Sequence, residues 1–558
     1  MTRTIFFLVS TALASLGLSA QTVFAQSAAG SYLAARQAEA DYDFLTAADY
    51  YLDATFFDPE YLPSQRGAIR SLLASGDIVL AAELAHSQLT SGEAQTPTLL
   101  AALTEDALAG DYARIVEVLQ TEDRPAVGLA DGLVLAWAYL GIGDTEAALA
   151  LFTDLASNRR IEVFASYHKA LALAWLGDFE AANQTFSDNV MVGIQTRHSV
   201  KARAEILSQI NRNDDATKLL TSAFSQEPGP DIQSLLDKLD QGQTLPFETV
   251  ADPTEGIAEV FFTIADALGA DHVDVSALYY ARVAQALRPD HGETLLLTAD
   301  ILERLDRPEL AREVYQQVVP GSFGYLVAAR GVADTLRSAG DVDGAIRALE
   351  ELLAEYPDDP MVHVSLGDTF RTKKNYAAAE KAYSTAIDLM AGNHSQLWYT
   401  YYVRGISNER LKNWPRAEAD FRQSLDLQPG QPQVLNYLGY SLVERREKLD
   451  EALKMIEQAV SVRPDSGYIV DSLGWVYYRL GRFDEAVAPM EMAVELMATD
   501  PIVNDHLGDV YWMVGREYEA RFQWRRALSF GPEEAEADRI RRKLEVGLDV
   551  VLEEEADD

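Results

Sequence analysis

The feature that most constrains this chain is a pattern that recurs about every 34 residues in its last third. Each copy contains a Leu-Gly pair, at 438–439, 473–474 and 507–508, and a second apolar pattern with helical spacing follows it. A helix pair of this length cannot bury its apolar face alone, so successive pairs must stack and share one continuous core. The sequence therefore predicts an all-α stack of helical hairpins.

The same pattern continues upstream in weaker form. Small residues recur in the predicted second helices, where two helices cross closely, at Ala47, Ala148, Ala182, Ala216, Ala277, Ala311, Ala345, Ala379 and Ala417. This spacing predicts about fourteen helix pairs. Residues 534–552 are predicted to form a final capping helix, because Ile540, Leu544, Leu548 and Val551 share one side of it.

The repeats resemble those of bacterial tetratricopeptide repeat proteins, which implies a solenoid wound as a right-handed superhelix. The last third, from Leu435 to Leu548, also resembles exported repeat proteins that act as adaptors for periplasmic carboxyl-terminal processing proteases. The segments that carry this second resemblance are 438–442, 471–478 and 506–512, together with Trp524. The resemblance implies a non-enzymatic adaptor that presents substrates to a protease.

The first 25 residues have the pattern of a secretory signal peptide. Arg3 precedes an apolar run from Ile5 to Leu18, and Val23-Phe24-Ala25 supplies small residues at the usual cleavage spacing. We therefore expect export to the periplasm with cleavage after Ala25. The alternative is that the segment is retained as an anchor, although the run is shorter than the roughly 20 residues that cross a bilayer.

Composition excludes several classes of function. The chain has no Cys, so it cannot be a lipoprotein modified on an N-terminal Cys, and it has neither disulfides nor thiolate metal sites. Its net charge of −40 comes from 87 acidic and 47 basic residues. Nucleic acids and anionic membrane surfaces would be repelled by such a chain, so neither is expected as a partner.

The repeat pattern stops in the middle of the chain. Residues 241–256 carry Pro246 and Pro253 with little helical periodicity, and the repeats resume afterwards. We therefore predict an N-terminal array over residues 26–230, a linker over 231–256 and a C-terminal array with its capping helix over 257–552. An acidic tail over 553–558 follows. The alternative for the linker is a segment that lies in the groove or acts as a hinge.

Motifs that would indicate catalysis are absent from the sequence. Its eight His residues show no His-Glu-x-x-His spacing, and there is neither a phosphate-binding Gly-Lys loop nor a Gly-x-Ser-x-Gly turn. We therefore expect no enzymatic activity, no cofactor and no metal site.

Candidate binding residues follow from the position of the glycine in each first helix. Residues three before and one after it share a helix face, and the resemblance implies that this face lines a concave groove. Aromatic, amide and carboxylate groups there suit a bound polypeptide. The predicted protein-binding residues are Tyr399, Tyr402, Asn436, Tyr440, Asp471, Trp475, Tyr478, Asp505, Asp509 and Trp512. The alternative for Trp475, Tyr478 and Trp512 is packing between repeats.

These patterns together indicate a protein-binding scaffold of the cell envelope. Its expected partners are proteins or peptides, including an envelope protease and its substrates. The alternative is a structural or assembly factor that contacts outer-membrane or peptidoglycan components.

Overall fold

The computed structural model describes residues 27–89, 95–120, 130–187, 196–224, 229–390, 392 and 394–557. These residues form thirty-one α-helices and no β-strand, which confirms the predicted all-α fold. The predicted signal peptide, residues 1–25, lies outside the described residues.

The chain divides into two compact units, Met1–Leu349 and Glu350–Asp558, called unit 1 and unit 2 below. The helices of unit 1 are α1 (Ala28–Ala40), α2 (Phe44–Phe57), α3 (Leu62–Ser75), α4 (Ile78–Leu89), α5 (Thr96–Leu108), α6 (Tyr112–Gln120), α7 (Ala130–Gly141), α8 (Thr145–Ala156), α9 (Glu162–Trp175), α10 (Phe179–Ser187), α11 (Arg197–Gln209), α12 (Asn213–Ala223), α13 (Gly229–Asp240), α14 (Pro253–Ala270), α15 (Asp274–Leu287), α16 (Gly292–Arg304), α17 (Pro308–Tyr315) and α18 (Tyr325–Ser338). Helix α19 (Val342–Glu355) contains the boundary.

Unit 2 continues as a regular series of helix pairs. Its helices are α20 (Pro360–Thr372), α21 (Tyr376–Leu389), α22 (Leu397–Arg410), α23 (Trp414–Leu427), α24 (Pro432–Glu444), α25 (Leu449–Val462), α26 (Gly467–Arg479), α27 (Phe483–Leu496), α28 (Pro501–Met513), α29 (Glu517–Ser529), α30 (Glu534–Val546) and α31 (Leu548–Asp557). We call the side formed by the first helices of successive pairs the first-helix face. In unit 2 these first helices are α20, α22, α24, α26 and α28.

The Leu-Gly pattern marks the point where the two helices of a pair cross most closely. In unit 2 these glycines, together with Gly405 after Arg404 at the matching position, lie against a large side chain of the second helix, in the pairs Gly367–Tyr383, Gly405–Phe421, Gly439–Ile456, Gly474–Met490 and Gly508–Trp524. A Cβ atom at these glycines would lie only 2.4 to 2.8 Å from that side chain. The pattern therefore reports tight packing within each pair, as the sequence predicts.

The C-terminal end differs from its prediction in one respect. The predicted single helix over 534–552 is two helices, α30 and α31, because Gly547 between them has a φ of 91° that other residues rarely adopt. The predicted tail over 553–558 is also wrong up to residue 557, since α31 continues that far. Ion pairs of 2.6 Å from Arg539 to Glu555 and from Arg542 to Glu554 join the two helices.

In unit 1 the first-helix face is covered by the chain itself. Helices α14 and α15 pack against α3, α5 and α7, which are first helices of earlier pairs. Gly256 of α14 lies against the ring of Trp137 in α7, and Tyr167 in α9 donates a hydrogen bond of 2.8 Å to Glu259 of α14. Arg282 of α15 donates to the backbone oxygen of Ala74 in α3. This face of unit 1 is therefore filled.

The linker predicted over residues 231–256 is wrong. Residues 231–240 belong to helix α13, and the segment that follows is fastened to α11. One oxygen of Glu205 accepts hydrogen bonds from the backbone N–H groups of Glu248 and Thr249 and from the Thr249 hydroxyl. The side chain of Leu245 is fully buried, and its backbone N–H group donates a hydrogen bond to the Ser208 hydroxyl. The two compact units divide at Leu349 instead, because α14 and α15 return to the earlier repeats.

Candidate protein-binding groove

The first-helix face of unit 2 carries a cavity of about 710 Å³, called the groove below. Its lining comes mainly from α22, α24, α26 and α28. The lining residues are Glu409, Arg410, Lys412, Trp414, Asn436, Tyr437, Tyr440, Ser441, Glu444, Arg445, Tyr468, Asp471, Ser472, Asp500, Ile502, Val503 and His506. This volume suits a few residues of a peptide, and pockets that bind small ligands have a similar size.

Aromatic side chains form much of the groove wall. They are Trp414, Tyr437, Tyr440 and Tyr468, contributed by α23, α24 and α26. Tyr468 is 64% exposed, so its ring is available to a ligand. Aromatic rings of this kind supply apolar contact area together with a polar tip.

Two polar atoms in the groove are buried without a hydrogen-bond partner among the described residues. They are the side-chain oxygen Oδ1 of Asn436 and the indole nitrogen Nε1 of Trp414. Trp414 is only 8% exposed, and Arg445 lies 4.9 Å from the centre of its ring. Buried polar groups are nearly always paired in native proteins, because an unpaired one costs about 1–3 kcal/mol. One acceptor and one donor at the groove are therefore unpaired, and because both atoms are buried, a ligand reaches them only after neighbouring side chains shift.

Charges of both signs surround the groove. The basic residues are Arg410, Lys412 and Arg445, and the acidic residues are Glu409, Glu444, Asp471 and Asp500. His506 adds a positive charge whenever it is protonated. The groove is therefore close to neutral in a chain of strongly negative net charge.

A stacked cluster lies beside the groove, which its members Glu444, Asp471 and His506 also line. The Trp475 ring lies between Tyr478, at 4.7 Å, and His506, at 4.0 Å between ring centroids. The Nδ1 atom of His506 lies 3.0 and 3.1 Å from the two carboxylate oxygens of Asp471, and Trp475 donates a hydrogen bond of 2.6 Å to Glu444. Burial alone would lower the pKa of His506, but the charge and hydrogen bond of Asp471, with Asp505 and Asp509 nearby, raise it above its ordinary value.

We expect the stability of this cluster to fall as the pH rises. A His whose pKa is raised in the folded state stabilises that state fully below its unfolded pKa of about 6.5, and the contribution disappears as the pH rises through the folded pKa. Hydrogen exchange of the α28 amides at about pH 6 and about pH 9 measures this directly. Asp471→Asn should remove most of the pH dependence. An equal dependence in that variant would contradict the assignment to His506.

Beyond the groove, two of the predicted binding residues are closed off by the C-terminal helix pair. Lys543 of α30 is fully buried, and its Nζ atom lies 2.6 to 2.8 Å from both carboxylates, those of Asp505 and Asp509. Trp524 also donates a hydrogen bond of 2.9 Å to Asp509, and Arg539 lies 3.5 Å from the same carboxylate. Burial, followed by the charge of Asp509, raises the pKa of Asp505.

All ten predicted binding residues lie on first helices of unit 2, but only three line the groove. These three are Asn436, Tyr440 and Asp471. The other seven pack between helices, because their rings or charges are used within the array. They are Tyr399, Tyr402, Trp475, Tyr478, Asp505, Asp509 and Trp512. Trp475, Tyr478 and Trp512 thus pack between repeats, which was the alternative to their lining a groove. That any of the ten residues binds a partner stays a prediction.

Three of these seven residues, Tyr399, Trp475 and Asp505, belong to a larger feature that we call the inter-repeat ladder. It consists of polar contacts between successive first helices and continues to α30. Its members are Tyr399–Asp368, Tyr437–Glu409, Trp475–Glu444, His506–Asp471 and Lys543–Asp505. The side chains that a repeat pattern places on the groove side are therefore also available to fasten one repeat to the next.

Several residues that line the groove were not predicted from the sequence. Tyr468 lies one helical turn before Asp471, so extending the same helix face backwards would have found it. Trp414 and Arg445 lie next to helix ends, outside the offsets counted from the glycine. Only the packing of neighbouring pairs brings them to the groove.

Comparison with known proteins identifies the repeats. The tetratricopeptide repeat model matches residues 265–324, 333–394 and 438–501. These segments are tetratricopeptide repeats. The predicted repeat type is thus confirmed, and such repeats form scaffolds for protein–protein interaction.

Two relatives are similar to part of the chain. A TPR repeat-containing protein of Pseudomonas aeruginosa is 31% identical over 172 residues, which is 31% of the chain and 28% of that protein. Superkiller complex protein 3 of Homo sapiens is 34% identical over 107 residues, which is 19% of the chain and 7% of that protein. The chain therefore spans less than a third of either relative.

The chain is also similar to solved structures of helical-repeat proteins, with low TM-scores. A crystal structure of the APC/C hetero-tetramer Cut9-Hcn1 covers 92% of this chain and 95% of its own, with 16% identity and a TM-score of 0.41. A MamA structure covers 32% of this chain and 94% of its own, with 24% identity and a TM-score of 0.28. TM-scores this low do not establish a shared overall fold.

Within the described ranges, none of the helices has the length and apolar character needed to cross a bilayer.

Proposed function

We propose that the groove of unit 2 binds a segment of another polypeptide. The observation that carries this proposal is the pair of buried, unpaired polar atoms, Asn436 Oδ1 and Trp414 Nε1, in residues that line an aromatic-walled cavity. A peptide backbone supplies both complements, because each residue offers one N–H donor and one C=O acceptor. Such a ligand would complete the hydrogen bonding that the chain leaves unmade.

Other ligand classes fit the groove less well. A polyanion such as a nucleic acid would meet four carboxylates in the lining and the charge of −40 on the whole chain. A polypeptide segment with apolar and mixed charged side chains matches both the aromatic wall and the balanced charges. In unit 1 the corresponding face is covered by α14 and α15, which leaves unit 2 as the better candidate.

Site-specific photo-crosslinking tests where the partner binds. A crosslinking amino acid in place of Tyr468, which lines the groove, should capture a defined set of proteins in cells. The matched control is the same replacement at Tyr518 of α29, which is 90% exposed and is not among the groove-lining residues. Identical adducts from both positions would mean that the groove is not the binding site.

Affinity measurements on the captured partner test the two polar atoms. We expect Asn436→Ala and Trp414→Phe each to weaken binding by about 1–3 kcal/mol, because each leaves a ligand group unpaired. Gln433→Ala, at an exposed position of the same helix α24, should leave affinity unchanged. Equal affinity in all three variants would contradict the proposed backbone contacts.

The cellular role that we propose is a non-catalytic adaptor of the cell envelope, exported with cleavage after Ala25 and delivering substrates to a periplasmic protease. The signal-like start of the sequence supports the location, and the resemblance over residues 435–548 supports the protease link. The second candidate is an assembly factor for outer-membrane or peptidoglycan components. The adducts from Tyr468 separate the two: a protease and its substrates favour the first, and envelope-assembly proteins favour the second.

A further inference from the structure

A buried cluster in unit 1, away from the groove, brings together imidazole and carboxylate groups. His198 lies at the start of α11, and His291 and Glu293 lie at the start of α16. The potential ligand atoms of these three residues lie within 4.8 Å of one another. The chain therefore places two His and one Glu around a single point, from positions 93 residues apart in sequence.

The distances match those between ligands of one metal ion. The Nδ1 atom of His198 lies 3.2 Å from the Nε2 atom of His291 and 4.0 Å from Oε1 of Glu293. Zinc–nitrogen bonds of about 2.0–2.1 Å in a tetrahedral site hold neighbouring ligand atoms roughly 3.4 Å apart. The side chain of Glu293 is 20% exposed, so this side of the cluster is open to solvent.

The second nitrogen of each imidazole ring lies beside a polar group, as in many metal sites. The other nitrogen of His198, Nε2, lies 3.4 Å from the Oε2 atom of Glu259, a fully buried carboxylate whose Oε2 has no hydrogen bond of good geometry among the described residues. The other nitrogen of His291, Nδ1, lies 2.7 Å from the Thr294 hydroxyl. A His that binds a metal usually has its second nitrogen held by a carboxylate or another polar group, which fixes the ring orientation.

The charges around the cluster also suit a cation. Two carboxylates, those of the buried Glu259 and the partly buried Glu293, lie beside the two rings. Three nearby cations are engaged elsewhere, Arg288 with Thr249 and Glu255, Lys201 with Glu205, and Arg197 with Asp231. A divalent ion would compensate the carboxylates of Glu259 and Glu293.

We propose that His198, His291 and Glu293 bind a zinc ion, with Glu259 positioning the ring of His198. Two imidazoles and one carboxylate are ligands that zinc accepts, whereas calcium and magnesium prefer oxygen ligands alone. The ion would fasten α11 to α16, and so would stabilise unit 1 independently of the groove in unit 2. The sequence shows only the fragment His291-Gly-Glu293, which is why motif spacing gave no metal prediction.

The test measures zinc on the full mature chain by equilibrium dialysis and elemental analysis, with cobalt absorption as a second readout. We expect one ion per chain for the native sequence. His291→Ala and Glu293→Gln should each weaken zinc binding by at least about tenfold, and Glu259→Gln by about 10–100-fold. Circular dichroism confirms that each variant is folded.

The matched control is His86→Ala, because His86 also lies beside two carboxylates, those of Glu105 and Asp106, outside the cluster. This variant should bind zinc like the native chain. The proposal is overturned if the native chain binds less than one ion at saturation, or if His291→Ala binds zinc with native affinity. In that case His198 and His291 share only the 3.2 Å hydrogen bond between their rings.

Discussion

Replacing Lys543 by Met is expected to lower the free energy of unfolding of unit 2 by about 3–5 kcal/mol. Lys543 is fully buried, and its ammonium group contacts both oxygens of Asp505 and of Asp509. Its removal leaves the carboxylates of Asp505 and Asp509 with Arg539, at 3.5 to 3.7 Å, and with the Trp524 hydrogen bond to Asp509, but without the ammonium group that contacts all four oxygens. Denaturant unfolding, followed by the fluorescence of the nearby Trp524, measures the loss.

Two further variants make this result specific. Arg541→Met removes another cation from the same helix α30, but the ion pairs of Arg541 with Glu534 and Asp538 are exposed, so the loss should stay within about 0.5 kcal/mol. Adding Asp509→Asn to Lys543→Met should restore part of the stability, because one unpaired charge is then removed. A loss from Lys543→Met no larger than that from Arg541→Met would show that the pair contributes little.

Trp137→Ala is expected to destabilise unit 1 by about 3–5 kcal/mol. The Trp137 side chain is fully buried, lies against Gly256 of α14, and donates a hydrogen bond of 3.2 Å to Nδ1 of His168. Its loss opens a cavity and leaves the imidazole of His168, whose pKa burial lowers to about 3, with an unpaired acceptor. Thermal melting measures the stability.

Hydrogen exchange tests whether α14 depends on this contact. The amides of α14 should lose protection in Trp137→Ala, because the ring holds α14 on the first-helix face of unit 1. Phe56→Ala, at a side chain that is 80% exposed in α2, serves as the control and should change stability by less than about 0.5 kcal/mol. Native protection of α14 in Trp137→Ala would mean that other contacts fasten this helix.

The repeat architecture of unit 2 could be predicted from the sequence because it depends on local spacing. The glycines of the Leu-Gly pattern lie at helix crossings as expected, since only a residue without Cβ fits against Tyr383 or Trp524. The predicted stripe of side chains also lies along the first helices. These features follow from helix periodicity and need no knowledge of distant contacts.

The features that could not be predicted from the sequence depend on contacts between residues far apart in the chain. The return of α14 and α15 to earlier repeats joins residues such as Tyr167 and Glu259, which are 92 positions apart, and no local pattern encodes that contact. The burial of Asp509 likewise depends on Lys543, which lies beyond the last repeat. A stripe of aromatic and acidic residues has the same spacing whether it faces a ligand or the next helix. The sequence therefore predicted the face but not how it is used.

The inter-repeat ladder has a consequence for the elasticity of unit 2. Its contacts join only neighbouring first helices, so along this face they resist bending as springs connected in series, and the softest junction deforms most. Between α20 and α22 the Tyr399 hydroxyl lies 3.4 and 3.5 Å from Asp368, and between α22 and α24 the Tyr437 hydroxyl lies 3.4 Å from Glu409, near the limit of a hydrogen bond. Between α28 and α30 Lys543 makes four charged contacts of 2.6 to 2.8 Å. A bending force on this face is therefore absorbed between α20 and α24, while the end that carries Lys543 moves as a stiff body.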